Sequence, residues 1–135
     1  MAIHKILIVD DSPTERFYLT DVLVKHGYSV TTAVNGEEAI GKIRAERPHL
    51  ILMDVVMPGA NGFQVTRSIG RDPELAAIPI IICSSKNQET DRIWGMRQGA
   101  KDYLVKPVNP ALLLASIATL DEKAASAAAP AAAAA

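Results

Sequence analysis

Short runs of apolar residues, rich in β-branched side chains, recur along the chain and predict buried strands. Four runs are clear, and a fifth, weaker one is bounded by a glycine and an Asn-Gly turn. The predicted strands lie at Ile6–Val9, Tyr28–Val34, Leu50–Met53, Ile78–Ile82 and Tyr103–Val105. Because the clear runs are continuously apolar, they are typical of strands buried on both faces of a parallel sheet.

Segments with helical periodicity separate these strands. In the first helix, Ser12 is the expected N-cap, Pro13 occupies the first helical position and Glu15 would close a capping box. Asn109 and Pro110 begin the last helix in the same way. The other helices are expected at about Glu37–Arg47, Phe63–Ile69 and Glu89–Gln98. Strand and helix alternate five times, which predicts an α/β fold, a five-stranded parallel sheet with helices on both faces.

The length of 135 residues indicates a single domain. That domain is expected to cover residues 1–121. The remaining residues, 122–135, are Glu and Lys followed only by Ala, Ser and Pro, and they cannot bury enough apolar surface to offset the entropy of ordering them. A disordered Ala/Pro-rich tail is therefore predicted there.

Composition excludes several classes of partner. The net charge of −1 offers no electrostatic footprint for nucleic acid or an anionic membrane. The single cysteine, Cys83, cannot form an internal disulfide and is expected to be a buried thiol. Neither an export signal nor a run of about 20 strongly apolar residues occurs, so a cytoplasmic location without membrane insertion is expected.

Polar residues follow the predicted strands at the end where parallel α/β sheets bind ligands. Asp10 and Asp11 follow the first strand, Asp54 ends the third, Ser84 follows the fourth and Lys106 follows the fifth. Three carboxylates held close together repel one another, and a hard cation such as Mg²⁺ relieves that repulsion. A carboxylate beside Mg²⁺ can act as a nucleophile towards a phosphoryl group, with Lys106 supplying further positive charge.

Taken together, these residues resemble the signature of the receiver domain of response regulators, the CheY-like family. The resemblance covers about residues 3–120 and rests on Asp10-Asp11, Asp54 with Met57-Pro58, Ser84, Tyr103 and Lys106-Pro107. It implies a flavodoxin-like, doubly wound fold with the strand order 2-1-3-4-5. Longer stretches are similar to stand-alone regulators of type IV pilus twitching motility: residues 9–15, 56–64, 88–91, 94–95 and 97–100.

The resemblance assigns roles to individual residues. It implies that Asp54 accepts the phosphoryl group, that Asp10, Asp11, Asp54 and the backbone carbonyl of Val56 bind Mg²⁺, and that Lys106 contacts the phosphoryl group. Ser84 and Tyr103 would be the switch residues. A sensor histidine kinase would be the phosphate donor, and the fourth helix, fifth strand and fifth helix would bind a downstream protein.

Less specific interpretations remain open for some of these residues. Ser84 could simply satisfy a turn, and Tyr103 could be an ordinary half-buried strand aromatic. Trp94 is expected to pack inward, although a contact with a partner is the alternative. Val56, two residues beyond Asp54, cannot orient an attacking water, so slow hydrolysis of a phosphorylated Asp54 is expected. Lys86 occupies the corresponding place after Ser84.

We expect a switching module rather than an enzyme, and two alternatives of other classes remain. An Asp-nucleophile phosphatase of the haloacid dehalogenase type would show Asp-x-Asp after the first strand, whereas Asp10 and Asp11 are adjacent. A phosphorylation-independent scaffold of receiver shape is the other alternative, and the intact Asp11, Asp54 and Lys106 count against it.

Overall fold

A computed structural model describes the backbone of residues 3–134 and the side chains of residues 3–123. Five strands and five helices alternate along the chain, as the sequence predicts. The strands are β1 (Lys5–Val9), β2 (Ser29–Ala33), β3 (Leu50–Met53), β4 (Ile80–Ser84) and β5 (Asp102–Val105). The helices are α1 (Pro13–Lys25), α2 (Gly36–Glu46), α3 (Gly62–Arg71), α4 (Glu89–Arg97) and α5 (Pro110–Ala134).

All strand pairs are parallel, and the sheet order is β2-β1-β3-β4-β5. The predicted doubly wound, flavodoxin-like order is therefore confirmed. Because side chains alternate along a strand, Leu7 and Val9 contribute to one core cluster while Ile6 and Ile8 contribute to the other. Burying each of these side chains contributes about 1.5–3 kcal/mol.

The two core clusters show which helices cover which face of the sheet. Ala39 and Ile43 of α2 and Ile69 of α3 belong to the first cluster. Leu23 of α1 and Leu113 of α5 belong to the second. Helices α2 and α3 thus lie on one face of the sheet, and α1 and α5 lie on the other.

The start of α1 differs in one respect from the predicted capping box. The Ser12 hydroxyl accepts a hydrogen bond from the Glu15 backbone N–H at 3.3 Å, as expected. The reciprocal bond is missing because the Ser12 N–H donates to Oδ1 of Asp10 at 2.9 Å. A complete capping box instead begins α3, where Asn61 and Gln64 exchange hydrogen bonds.

The predicted start of the fourth strand is wrong by two residues. Ile78 and Pro79 precede β4, and the strand continues to Ser84. Ser84 is therefore a buried residue at the end of the strand and does not follow it. Inward packing of Trp94 is also wrong, because 48% of this residue is exposed. Cys83 is buried, as predicted, and burial raises the pKa of its thiol to about 12.

The expected disordered tail at 122–135 overlaps the last part of α5, for which the structure describes the backbone to residue 134 but the side chains only to residue 123. That prediction and the domain boundary at 121 stay predictions. Across the described residues, no helix has both the length and the apolar character that crossing a bilayer requires.

Candidate functional site

Strand register brings the predicted carboxylates together at one edge of the sheet. Val9 and Met53 are paired across β1 and β3, so the residues that follow them, Asp10 and Asp54, are neighbours. The Asp54 N–H donates to the Val9 carbonyl at 2.9 Å. Carboxylate oxygens of Asp10, Asp11 and Asp54 all lie within 4.8 Å of one another.

Lys106 lies between two of these carboxylates. Its Nζ is 2.7 Å from Oδ2 of Asp10 and 3.2 Å from Oδ1 of Asp54. The Lys106 N–H donates to the Ser84 carbonyl at 2.8 Å, which places the side chain beyond the ends of β4 and β5. The side chains are 14% exposed for Lys106, 2% for Asp10 and 8% for Asp54, so both ion pairs are largely shielded from water. Asp11 is exposed.

The surroundings change the proton affinity of two groups in this cluster. Burial and then the negative charge of Asp10 raise the pKa of Asp54, and Lys106 offsets part of that rise. For Lys106, burial acts to lower the pKa, but the hydrogen bond and charge of Asp10, together with the charge of Asp54, raise it overall. The ammonium form of Lys106 is therefore favoured beside the two carboxylates.

The donor set fits a hard divalent cation. Three carboxylates within 4.8 Å supply the oxygen ligands that Mg²⁺ prefers, and the exposed Asp11 leaves one side open for water ligands. Val56 lies in the loop directly after Asp54, and its predicted role as a carbonyl ligand stays a prediction. The described residues thus contain an acidic pocket of the right chemistry.

Asp54 is held in place by the close return of the chain at the start of α3. The Gly62 N–H donates to the Val55 carbonyl at 2.8 Å. A Cβ atom at position 62 would lie 1.9 Å from the carbonyl oxygen of Asp54, which no side chain could tolerate. Only glycine permits this approach. This role of Gly62 is not evident from the sequence, in which the Asn-Gly pair before a helical pattern is its one signal.

Arg16 is a second residue of the site that the sequence analysis missed. Its guanidinium Nη1 donates to the backbone carbonyl of Asp10 at 2.8 Å, while the Asp10 carboxylate accepts the N–H of Ser12. Both bonds restrain Asp10 from α1. Arg16 lies six residues along the chain from Asp10 and has no motif to mark it.

The two predicted switch residues meet at the loop after β4. Oγ of Ser84 accepts a hydrogen bond from the Lys86 N–H at 3.1 Å. The Tyr103 hydroxyl donates to the Lys86 carbonyl at 2.8 Å, so both residues bind the same loop residue. Tyr103 is buried, not half-buried, and burial raises the pKa of its phenol.

Helix α4 approaches Tyr103 through a glycine. A Cβ at Gly95 would lie 3.0 Å from Cδ2 of Tyr103 and 3.0 Å from Cδ1 of Ile82. These contacts are tighter than those of ordinary side chains, so a larger residue would push α4 away from the sheet. Helix α4 therefore packs closely against Tyr103 at Gly95.

Comparison with known proteins agrees with this geometry. The family model described as the response regulator receiver domain matches residues 6–118, which is most of the chain. The chain belongs to the response regulator receiver domain family. The expected kind of protein, a CheY-like receiver, is confirmed.

The chain is also similar to individual members of the family. The chain is 56% identical to Protein PilH of Pseudomonas aeruginosa over 84% of its own length and 93% of that protein. It is 39% identical to the transcriptional regulatory protein AfsQ1 of Streptomyces coelicolor over 83% of its own length, but spans only 48% of that protein. The structure of chemotaxis protein CheY4 of Vibrio cholerae is 32% identical, with a TM-score of 0.80 and coverage of 87% and 98% of the two chains.

These findings establish that the chain is a receiver domain of the kind used in two-component signalling. They also agree with an acidic pocket suited to a metal ion.

Proposed function

We propose that this chain is a response regulator that accepts a phosphoryl group on Asp54 from a sensor histidine kinase in the presence of Mg²⁺. The observation that carries the proposal is the buried carboxylate of Asp54, which lies within reach of two further carboxylates and 3.2 Å from the ammonium of Lys106. Carboxylates are rarely buried without such partners, and perturbed carboxylates in clusters mark functional sites.

In the proposed reaction, a carboxylate oxygen of Asp54 attacks the phosphorus of a phosphohistidine on the kinase. The new P–O bond forms as the P–N bond breaks, and the histidine leaves as the neutral imidazole after taking up a proton. Bound by Asp10, Asp11, Asp54 and the Val56 carbonyl, Mg²⁺ would neutralise charge on the carboxylates and the phosphoryl oxygens. Lys106 would turn from Asp54 to the phosphoryl oxygen.

The hydrogen bonds at the loop after β4 support the proposed switch. Ser84 now binds the Lys86 N–H, and its hydroxyl would donate to a phosphoryl oxygen once Asp54 is modified. The loop would shift, and the bond from Tyr103 to the Lys86 carbonyl would break. Because α4 lies directly on Tyr103, the surface formed by α4, β5 and α5 would change for a downstream protein partner.

Intact-mass analysis after incubation with acetyl phosphate tests the chemistry. We expect a gain of one phosphoryl group that requires Mg²⁺ and is absent in Asp54→Ala. Asp21→Ala, which removes an exposed carboxylate on α1, is the matched control and should be modified like the wild type. No gain with acetyl phosphate or with a phosphorylated kinase, in folded protein, would refute the proposal and favour a phosphorylation-independent scaffold.

The similarity to PilH supports a pilus-related role, and we propose that this role is in type IV pilus twitching motility, by output control or as a phosphate sink. A cytoplasmic location is part of the same proposal. Complementation tests this part. The chain should restore twitching to a strain that lacks its PilH homologue, and Asp54→Ala should not. If the wild-type chain and Asp54→Ala both restore twitching, the proposed role in twitching would stand and the proposed phosphorylation of Asp54 would fail.

The phosphoryl group on Asp54 is expected to be long-lived. The Val56 side chain beside the site is 60% exposed and has no polar atom that could orient an attacking water. Val56→Asn should therefore shorten the lifetime of the phosphorylated protein, measured by mass after removal of the donor. Val24→Asn, at an exposed position on α1, is the control. Equal lifetimes in Val56→Asn and the wild type would contradict this explanation.

A further inference from the structure

Three arginines that have no partner among the described residues share one cavity on the surface. Four of the seven arginines donate hydrogen bonds to carboxylates or carbonyls: Arg16, Arg44, Arg47 and Arg92. Arg67, Arg71 and Arg97 have neither a hydrogen bond nor an ion pair within the described residues. All three line a cavity of about 460 Å³ between α3 and α4.

The lining of this cavity combines positive charge with an exposed aromatic ring. Trp94 lies beside the three arginines, and Gly70 and Gly99 leave part of the lining without side chains. None of the described residues that line the cavity is acidic. The nearby carboxylate of Asp72 is bound by Arg44 at 2.6 Å and is not paired with Arg71.

Helix dipoles explain only part of this arrangement. Arg71 and Arg97 lie in the last turns of α3 and α4, where a basic side chain faces the negative end of the helix. Each helix end carries roughly half an elementary charge, so two ends leave most of the charge of three guanidinium groups uncompensated. Trp94 gains nothing from the dipole, yet it is 48% exposed on the same cavity.

We propose that this cavity is a docking site for an acidic polypeptide segment of a protein partner. Guanidinium groups bind carboxylates with two parallel hydrogen bonds, and an exposed tryptophan offers a face for an aromatic or apolar side chain of the same segment. The lining residues are almost all exposed, which suits a chain that crosses the surface rather than a small molecule that must be enclosed. A net charge of −1 disfavours nucleic acid as the occupant.

This site is separate from the surface formed by α4, β5 and α5. The cavity on that surface is lined by residues such as Arg92, Val105 and Leu112, none of which lines the cavity between α3 and α4. Helix α4 therefore contributes to two different surfaces. A partner held between α3 and α4 would leave the surface of α4, β5 and α5 accessible to a second protein.

The single tryptophan of the chain makes the test direct, because its fluorescence reports the cavity itself. The probe is an oligoglutamate peptide with one central phenylalanine, titrated into the full chain at low salt. We expect a saturable change in Trp94 emission. Arg67→Glu/Arg71→Glu should weaken binding about tenfold or more, because it places like charges at the contact.

A matched variant controls for net charge. Lys25→Glu/Lys42→Glu changes the net charge by the same amount on α1 and α2, and it should bind within about twofold of the wild type. Circular dichroism checks that each variant is folded. No saturable change with the wild type would overturn the proposal, as would an equal loss in the control. Tighter binding of an oligothymidylate than of the peptide would overturn it in favour of a nucleic acid.

Discussion

Replacing Lys106 with methionine removes an ammonium group from between two buried carboxylates while keeping most of the side-chain volume. At an effective dielectric constant of about 20, the contacts of 2.7 and 3.2 Å correspond to roughly 6 and 5 kcal/mol of Coulomb attraction. Desolvation of the three groups offsets much of this. Removing one partner of a buried ion pair nevertheless costs about 3–5 kcal/mol, because the other charge stays buried without compensation.

We therefore expect Lys106→Met to lose about 3–5 kcal/mol of unfolding free energy in the presence of EDTA. Urea denaturation at neutral pH measures this. Mg²⁺ should restore much of the loss, since a cation that binds only the folded state stabilises it. Lys25→Met is the control: Lys25 is 70% exposed in its ion pair, so this variant should differ from the wild type by less than about 1 kcal/mol.

The pH dependence of the loss follows from the sign of the shift at Asp54. The folded-state pKa of Asp54 is already raised above the ordinary value of 3.8, and the charge and hydrogen bond of Lys106 are the largest of the effects that lower it. Without Lys106 the pKa of Asp54 in the folded state rises further. Folded Asp54 then holds a proton that the unfolded chain releases, so stability falls as pH rises from about 4 through the folded-state pKa. A loss below about 1 kcal/mol, or one unaffected by Mg²⁺ and by pH, would refute the reasoning.

Two further predictions concern packing. Gly62→Ala should destabilise the protein by about 3 kcal/mol or more, because the new Cβ would meet the Asp54 carbonyl oxygen, whereas Gly41→Ala on the open face of α2 should stabilise it by about 0.5–1 kcal/mol. Urea denaturation distinguishes the two, and equal effects would contradict the contact. Cys83 should resist iodoacetamide at pH 8 in the native protein, because its pKa is about 12 and it is buried, and should react once urea unfolds the chain. Rapid native labelling, followed by mass spectrometry, would show that Cys83 is accessible.

Local patterns were sufficient to predict the alternation of strands and helices. Each strand carries its own apolar run. Because the carboxyl ends of parallel strands lie at the same edge of the sheet, Asp10, Asp54 and Lys106 could be placed together from their positions after strands. The strand order itself came from the resemblance to the family. Apolar runs show that a strand is buried but not which strand is its neighbour.

The errors arose where the structure makes a contact other than the one that the sequence pattern predicts. Ser12 and Glu15 have the spacing of a capping box, but the Asp10 carboxylate takes the N–H that Glu15 would accept. Gly95 occupies the inward position of α4, next to Ile82 and Tyr103. The ring of the adjacent Trp94 therefore does not pack into that contact and is 48% exposed. Arg16 binds Asp10 through a backbone carbonyl, which leaves no trace in a pattern of side-chain types.

The charge of the cluster implies that Lys106 pairs with the carboxylates before phosphorylation and with the phosphoryl group afterwards. With three carboxylates and one ammonium, the cluster carries a charge of −2 when all four groups are ionised. Asp10 and Asp54 cannot present the same oxygen lone pairs to Lys106 and to a cation, so Lys106 opposes metal binding before phosphorylation. The proposed phosphoryl group adds a charge of about −1.5 to −2, and Lys106 would then be the cation that balances it.

Lys106→Met should accordingly bind Mg²⁺ more tightly than the wild type in a calorimetric titration. The variant should also lose the proposed change in the surface of α4, β5 and α5 that follows phosphorylation. Weaker Mg²⁺ binding in the variant would show that Lys106 orders the carboxylates rather than competing for them.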